Sequence, residues 1–393
     1  MGESSPVDAD LQRGIESIRN SMGKEIPSDL NTDFNLHRWW HAYNGDLELI
    51  CAHFRTQIAN RRAAGYGNVE EFMANFFDLP DVKKCAPYIA MSRKHAVHER
   101  DNALVFVEGC VTEPGKLVRV FSASDYIRFY HACCEYFLQK ILQQEQKTGR
   151  PSQGICIYDM SGMKMLSFIN PMAPINRLLF ARVQLWQDFY AELLRKVVIV
   201  NAPVALSAVW KIMSWMIHKK YHTRFVFVNK HEEIFDHLDP ITVPRAFGGK
   251  LEDTSGYAAN AALCYNDRVL ITDGDYYQVG HAWKQTGYKG PTPGHLTSTH
   301  IGRGHTHVIR VEAEKMTEIL WHWRSSGELE FSVVFVDDTD SQYMVHPQFK
   351  LVTPKLPEEG VLKCAMTGSY ELTFQNTSHY VGVTLQHSVV NMK

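Results

Sequence analysis

Apolar and polar positions change their spacing twice along the chain, which divides it into three regions. Over residues 8–78 apolar side chains recur every three or four positions, which predicts a helical domain. Over residues 79–249 short apolar runs alternate with amphipathic segments, which predicts an α/β domain with a mostly parallel sheet. Over residues 260–391 brief alternating runs are separated by small turn residues, which predicts an all-β, jelly-roll-like sandwich.

Single stretches of this pattern give more local predictions. Strands are predicted at 104–107, 117–121 and 155–158, because these runs are rich in β-branched and aromatic residues. Ser124 is expected to cap the helix that follows the second of these runs. The Gly, Pro, Ser and Thr content of 287–304 predicts a long loop.

The segment at 206–217 is apolar around most of its circumference. On a helical wheel its apolar residues cover an arc of roughly 220°, about twice the stripe that a surface helix needs. It is too short to cross a bilayer with about 30 Å of hydrocarbon, so we expect one face to cover an internal cavity and the other to meet a membrane. An ordinary core helix is the alternative reading at this point. The apolar arc consists of Leu206, Val209, Trp210, Ile212, Met213, Trp215, Met216 and Ile217.

Composition and charge exclude several classes of protein. The formal net charge of -2 lacks the basic excess of a nucleic-acid-binding protein, so no nucleic-acid partner is expected. The eight cysteines form no Cys-x-x-Cys pair and are expected to be reduced thiols of a cytoplasmic protein. The first residues lack the apolar core of a secretory signal, and no apolar run reaches membrane-spanning length, so we expect any membrane contact to be peripheral.

Candidate catalytic and metal-binding patterns are weak. The chain carries no Gly-x-Ser-x-Gly elbow, Walker loop, Gly-x-Gly-x-x-Gly or His-Glu-x-x-His motif, so we expect no enzyme activity and no cofactor. His37 and His41 are four residues apart, and His305 and His307 share one predicted strand face. Each pair lacks the further ligands of a closed metal site, and no metal is expected.

Several short motifs occur in a characteristic order along the chain. They are Phe121-Ser-Ala-Ser124, the strand ending in Asp159 with Gly162, Asn201-Ala202-Pro203, and Val243-Pro244 through Gly248-Gly249. Together they resemble the CRAL-TRIO lipid-binding family, and residues 8–78 are similar to its N-terminal helical domain. With Trp321-His-Trp323 and the run at 370–377, residues 260–391 resemble a Golgi dynamics (GOLD) β-sandwich.

The resemblance implies a lipid-binding or lipid-transfer protein with 206–217 as the mobile gate helix. The implied ligand is a phosphoinositide, a tocopherol or an isoprenoid-like lipid, with Glu192 and Arg224 at an inositol headgroup. It also implies transient association with Golgi or other membranes and a protein partner for the GOLD sandwich. We expect the cavity to be lined by Tyr158, Phe168, Phe180 and Phe189.

One alternative remains open within the same family. The protein would be an adaptor of the secretory pathway that has lost its ligand and acts through the GOLD sandwich. Bulky side chains such as Phe168, Phe180 and Phe189 filling the cavity would favour this reading.

Overall fold

Helices form the first part of the chain in the computed structural model, which describes residues 6–203 and 206–392. Polar side chains start three of these helices by accepting hydrogen bonds from free backbone amides: Thr32 from Asn35, Asp46 from Leu49, and Asn68 from Glu71. The helices are α1 (Pro6–Met22), α2 (Asp33–Ala42), α3 (Leu47–Ala63), α4 (Val69–Asn75) and α5 (Pro80–Cys85).

A mostly parallel sheet with crossover helices follows. The strand order is β1-β3-β4-β5-β6, in which β3 to β6 run parallel, while β1 and β2 pair antiparallel with β3. Its elements are β1 (Ala90–Met91), β2 (Ala96–His98), β3 (Ala103–Gly109), α6 (Pro114–Leu117), α7 (Ala123–Thr148), β4 (Gly154–Asp159), α8 (Pro174–Phe189), β5 (Leu194–Val200), α9 (Leu206–Met216) and β6 (Phe225–Phe227).

The two faces of this sheet have different surroundings. Because side chains alternate along a strand, Val105 and Val107 of β3 point to one face and Phe106 and Glu108 to the other. The first face packs in a core with later segments that include Phe247. The second face is turned toward α7, α8 and α9, which places the cavity described below.

Two antiparallel four-stranded sheets form the last part of the chain. Their orders are β11-β10-β13-β8 and β12-β9-β14-β7, and Trp323, Phe331 and Phe374 pack between them with ring centroids 5.0 to 5.5 Å apart. The predicted fold class is therefore confirmed: a helical region, a mostly parallel sheet and a sandwich. The elements are α10 (His281–Gln285), β7 (Thr297–Ile301), β8 (Thr306–Ala313), β9 (Glu318–Ser325), β10 (Leu329–Val336), β11 (Gln342–Leu351), β12 (Glu358–Lys363), β13 (Gly368–Gln375) and β14 (Val383–Met392).

Three local predictions were wrong. Residues 117–121 do not form a strand but the end of α6 and a turn, whose apolar side chains are buried without a strand partner to pair with. The cap of α7 is Ser122 rather than Ser124, because Ser122 accepts from Asp125 N in a capping box. Within 287–304 the structure has β7, an edge strand that is mostly exposed and therefore lacks an apolar alternation.

Helix α7 holds the three regions together. Arg61 of α3 lies 2.7 Å from the buried Glu135 of α7 and 2.6 Å from Asp29. Next to this pair, Asn60 donates to the carbonyl oxygen of Gln348 in β11 at 3.1 Å and accepts from the Gln348 amide at 2.8 Å. Buried apolar side chains of α7 and of the sandwich belong to one continuous core. The three regions thus share their interior.

The N-terminus of α7 also receives a carboxyl group from the sandwich. Glu358 Oε1 accepts from the Ser124 amide at 3.1 Å, and Glu358 is 1% exposed. Burial and the neighbouring Asp125 outweigh Arg128 and the bonds from Ser124, and raise the pKa of Glu358 to about 7. The pKa of the adjacent Glu359 shifts in the opposite direction. Burial raises it, but hydrogen bonds that include those of His322 and Tyr277 outweigh burial, so the pKa is lowered.

These two carboxyl groups predict opposite effects of pH on stability. The folded state holds the Glu358 proton up to about pH 7 and the unfolded state only to about pH 4.3, so stability from this group falls as pH rises through that window. Glu358→Gln should therefore stabilise the protein by about 3 to 4 kcal/mol at about pH 8 and change little at about pH 4. Chemical unfolding at both pH values measures this difference.

Glu359→Gln is the matched control. It removes a charge that the folded state stabilises, so it should destabilise the protein at about pH 8. A loss of stability at about pH 8 in Glu358→Gln as well would contradict the assignment.

Candidate functional site

An apolar cavity of about 270 Å³ lies between the sheet and the three helices that face it. Its floor consists of alternate residues of three parallel strands, as the period of a β-strand requires. The strands thus present one side chain in every two to the cavity and the others to the opposite core. The floor residues are Phe106, Glu108, Cys156, Tyr158, Val197 and Ile199.

Helices α7 and α8 form the walls of the cavity with one stripe of side chains each. The stripes step by three and four residues, which is the spacing of one helix face. Side chains of α9 close the remaining side. The wall residues are Tyr126, Tyr130, Cys133, Cys134 and Phe137 of α7, Ile175, Leu179, Arg182, Val183 and Trp186 of α8, and Leu206, Trp210 and Met213 of α9, with Ile217 just beyond it.

Two of the four residues expected to line the cavity do so. Tyr158 and Phe168 are lining residues, whereas Phe180 and Phe189 are not. On α8 the lining face centres on Leu179, and at about 100° per residue Phe180 points well away from it. Phe189 is at the end of the helix, where its ring packs 6.0 Å from that of His53.

The predicted gate residues divide between the two sides of α9. Leu206, Trp210, Met213 and Ile217 face the cavity, and Trp215 on the outer side is 80% exposed. Trp210 packs its ring 5.1 Å from that of Phe225. Of the three remaining predicted residues, Met216 is partly buried outside the lining, and the side chains of Val209 and Ile212 lie outside the described part of the helix.

Polar contacts fix the residues on both sides of α9. Before the helix, Asn201 adopts a left-handed backbone with φ 53° and donates to Asp159 Oδ1 at 2.8 Å. At its end, Gln187 of α8 donates to the Met216 carbonyl at 3.0 Å and accepts from the His218 amide at 2.7 Å.

Glu192 and Arg224 meet, but outside the cavity. Arg224 Nη2 lies 2.7 Å from Glu192 Oε2, and Glu192 is 7% exposed while Arg224 is 18% exposed. Arg224 also stacks 4.6 Å from the Tyr221 ring. His41 of α2 lies 3.5 Å from the other Glu192 oxygen. The pair therefore sits where the N-terminal helices meet the α/β region.

One charged pair stands inside the mostly apolar cavity, whose lining also includes the polar side chains of Ser92 and His95. Arg182 Nη2 lies 3.0 Å from Glu108 Oε2, and Arg182 Nη1 donates to the Tyr130 hydroxyl at 2.7 Å. That hydroxyl donates to Glu108 Oε1 at 3.3 Å. Burial opposes the charge of Arg182, but Glu108 and Tyr130 outweigh it and raise the pKa of Arg182 well above its usual value, so the guanidinium stays charged. We call these three residues the polar clamp.

The polar clamp was not predicted from the sequence, although a signal was present. The strand was expected to end at 107, one residue before Glu108, which occupies the next alternate position after Phe106. Arg182 interrupts the apolar stripe of α8 between Leu179 and Val183. The pattern that would have revealed the polar clamp is one charged residue on an apolar stripe together with a second charged residue on the apolar stripe that faces it.

Metal binding, membrane spanning and thiol chemistry find little support among the described residues. No group of three or more His, Cys, Asp or Glu side chains there has the arrangement of a metal site, and none of the described helices is long and apolar enough to cross a bilayer. Burial raises the pKa of the Cys133 and Cys156 thiols in the cavity wall, so both remain protonated.

Comparison with known proteins places the chain in a family. A model of the CRAL/TRIO domain matches residues 96–249. The Caenorhabditis elegans CRAL-TRIO domain-containing protein C34C12.6 is 30% identical over 397 residues, which cover 98% of this chain and 97% of that protein. Another nematode relative, CRAL-TRIO domain-containing protein F28H7.8, is 21% identical over 63% of this chain and 61% of its own length.

Among solved structures, the crystal structure of Sfh5 is similar with a TM-score of 0.48 and 12% identity, covering 70% of this chain and 96% of that one. The nematode relative C34C12.6 matches all three regions of the chain. Membership of the CRAL/TRIO family supports lipid binding and transfer. The chain belongs to the CRAL/TRIO family.

Proposed function

We propose that this protein takes up a single hydrophobic lipid in its cavity and transfers or presents it between membranes, with α9 as the gate. A phosphoinositide, a tocopherol and an isoprenoid-like lipid are the ligand classes considered. Lipid uptake is driven by burial of apolar surface, at about 0.8 kcal/mol for each methylene group removed from water. The protein acts by binding rather than by catalysis.

The observation that carries this proposal is the open apolar cavity itself. A fold that needed only stability would fill about 270 Å³ with side chains, since voids of this size are costly. Of the bulky residues that would favour an adaptor with a filled cavity, Phe180 and Phe189 point elsewhere, and Phe168 lines the cavity but leaves about 270 Å³ open. Lipid binding is therefore favoured over the ligand-free adaptor.

The outer surface beside the gate supports contact with a membrane. The turn at 165–168 contacts α9, and the exposed fractions of Leu166 and Trp215 are 82% and 80%. Ile169 and Met172 add further exposed apolar area nearby in the chain. The basic residues Lys211 and Lys219 are exposed and available to anionic headgroups, at about 1 kcal/mol each, whereas Lys220 donates to the Ala42 carbonyl at 2.6 Å. Binding of this kind is weak and reversible.

Cellular placement follows from the same proposal. We propose a cytoplasmic protein that associates transiently with Golgi or other membranes. The sandwich, as a GOLD domain, would supply the contact with a protein partner that selects the membrane.

Filling the cavity should weaken lipid loading. Leu179→Trp places a large ring where the ligand would lie, and displacing it costs about 1 to 3 kcal/mol, so affinity should fall by about 5- to 150-fold. Leu49→Trp, at an exposed position of α3, is the matched control and should load normally. Native mass spectrometry and lipid analysis of organic extracts measure the loading. Absence of any stoichiometric lipid in the unmodified protein, before and after incubation with lipid vesicles, would refute the proposal.

Removing the exposed apolar side chains beside the gate should weaken membrane binding without unfolding the protein. Trp215→Ser combined with Leu166→Ser should lower association with anionic vesicles by about tenfold or more, and slow transfer, with an unchanged melting temperature. Tyr380→Ser is the control, because Tyr380 is 89% exposed on the sandwich. Vesicle co-sedimentation distinguishes the two sites, and an equal loss in the control would place the membrane contact elsewhere.

An inositol lipid as ligand makes a separate prediction for the pair of Glu192 and Arg224. Arg224→Ala should weaken transfer of phosphatidylinositol and leave transfer of tocopherol unchanged. The same substitution leaves Glu192 buried without this cation, which costs about 3 to 5 kcal/mol of stability, so unfolding is measured in parallel. Arg195→Ala, which removes an exposed partner of Asp101, is the control. Equal loss of both transfer activities would make Arg224 a structural residue only.

A further inference from the structure

The polar clamp lies within the ligand cavity rather than at its edge. Glu108, Tyr130 and Arg182 are all lining residues, on β3, α7 and α8 respectively. The Arg182 side chain keeps 27% of its surface accessible and Glu108 keeps 12%. Since both side chains line the cavity, a bound lipid would meet them there.

An ion pair is an unusual component of a cavity built for hydrocarbon. Ionised groups in an apolar environment are costly unless they are paired, and replacing such a pair by apolar residues is often neutral or stabilising. Stability therefore gives no reason to keep these charges where a hydrocarbon chain would lie. A ligand group that hydrogen-bonds to them does give one.

The charges and donors of the polar clamp define the group that fits it. Glu108 and Arg182 neutralise one another, so a ligand carboxylate, phosphate or ammonium would leave an unbalanced charge in the cavity. A guanidinium has five N–H donors, of which Glu108 and Tyr130 take two, and a carboxylate has about four acceptor sites. The polar clamp thus offers both donors and acceptors, and a hydroxyl group is the uncharged group that uses both.

We propose that the polar clamp binds the hydroxyl group of a neutral lipid alcohol, which fixes the polar end of the ligand inside the cavity and its hydrocarbon against the gate. This inference rests on the proposed function, since it requires that the cavity hold a lipid. Arg182 donates a hydrogen bond to the ligand oxygen, and Glu108 accepts a hydrogen bond from the ligand hydroxyl. A hydrocarbon without the hydroxyl leaves these groups unused, and a charged amphiphile disturbs their balance.

The test compares three twelve-carbon probes that differ only in the polar end: 1-dodecanol, dodecane and dodecanoate. Each is presented to the full chain in phosphatidylcholine vesicles at about pH 8, where the carboxylate is ionised, and probe bound to the isolated protein is quantified by mass spectrometry. One hydrogen-bonded hydroxyl group contributes about one power of ten in affinity, so dodecanol should bind roughly tenfold more tightly than dodecane. Dodecanoate should bind more weakly than dodecanol.

Variants then assign the preference to the polar clamp. Glu108→Leu with Arg182→Met keeps the volume and removes both charges, so it should bind dodecane as before and lose the roughly tenfold preference for dodecanol. Tyr130→Phe keeps the ion pair and should reduce the preference in part. The matched control is Glu252→Leu with Arg245→Met, an ion pair at 2.7 Å that lies outside the cavity, and it should keep the full preference.

The outcomes separate the two proposals. Equal binding of dodecane and dodecanol, tighter binding of dodecanoate, or an unchanged preference in the variant without the ion pair would each overturn the inference while lipid binding stands. Failure of the unmodified protein to bind any of the three probes would instead refute the proposed function.

Discussion

The structure depends on keeping an apolar cavity open without support from within. Side chains that face an empty space lose contact partners on one side, so the walls must be held in place from behind. Helix α7 shows how this is done: its inner stripe faces the cavity, and its other side packs into the same core as the sandwich. Buried ion pairs such as that of Arg61 with Glu135 attach α7 to its neighbours by contacts that a hydrocarbon ligand cannot disturb. The regions on either side of the lipid-binding domain therefore act as its outer wall.

The charges of the molecule are distributed in keeping with this arrangement. The pair of Glu192 and Arg224 is placed where the helical region meets the sheet, and the polar clamp is placed where the ligand would lie. Both are buried ion pairs, yet their positions differ: the first lies outside the cavity, with 18% of the Arg224 side chain exposed, and the second lines the cavity. The same pairing chemistry thus serves two different places, and the second is the one that a molecule inside the cavity would meet.

Much of the fold follows from apolar spacing, because long periodic segments leave one arrangement that buries them. The strand at 155–158 and the over-apolar helix at 206–217 were predicted for this reason. The side chains at the site were harder to predict. Phe180 was chosen by residue type, but the rotation of α8 sends it away from the cavity. Glu108 lies one residue beyond the predicted strand, and its partner lies 74 positions away in the chain. Each charge interrupts an apolar pattern locally, but the sequence alone does not show that the two side chains meet.

The contact between Asn60 and Gln348 has a consequence for the solubility of the protein. Strand β11 is the outer strand of its sheet, and the edge of a sheet offers unpaired backbone groups on which another molecule can add a strand. Asn60 uses its amide side chain to satisfy both the amide and the carbonyl of Gln348, as a neighbouring strand would. Helix α3 thereby covers this edge of the sheet within the folded chain. Chains whose N-terminal helices have not yet docked would expose it, and strand addition between such chains competes with folding until α3 is in place.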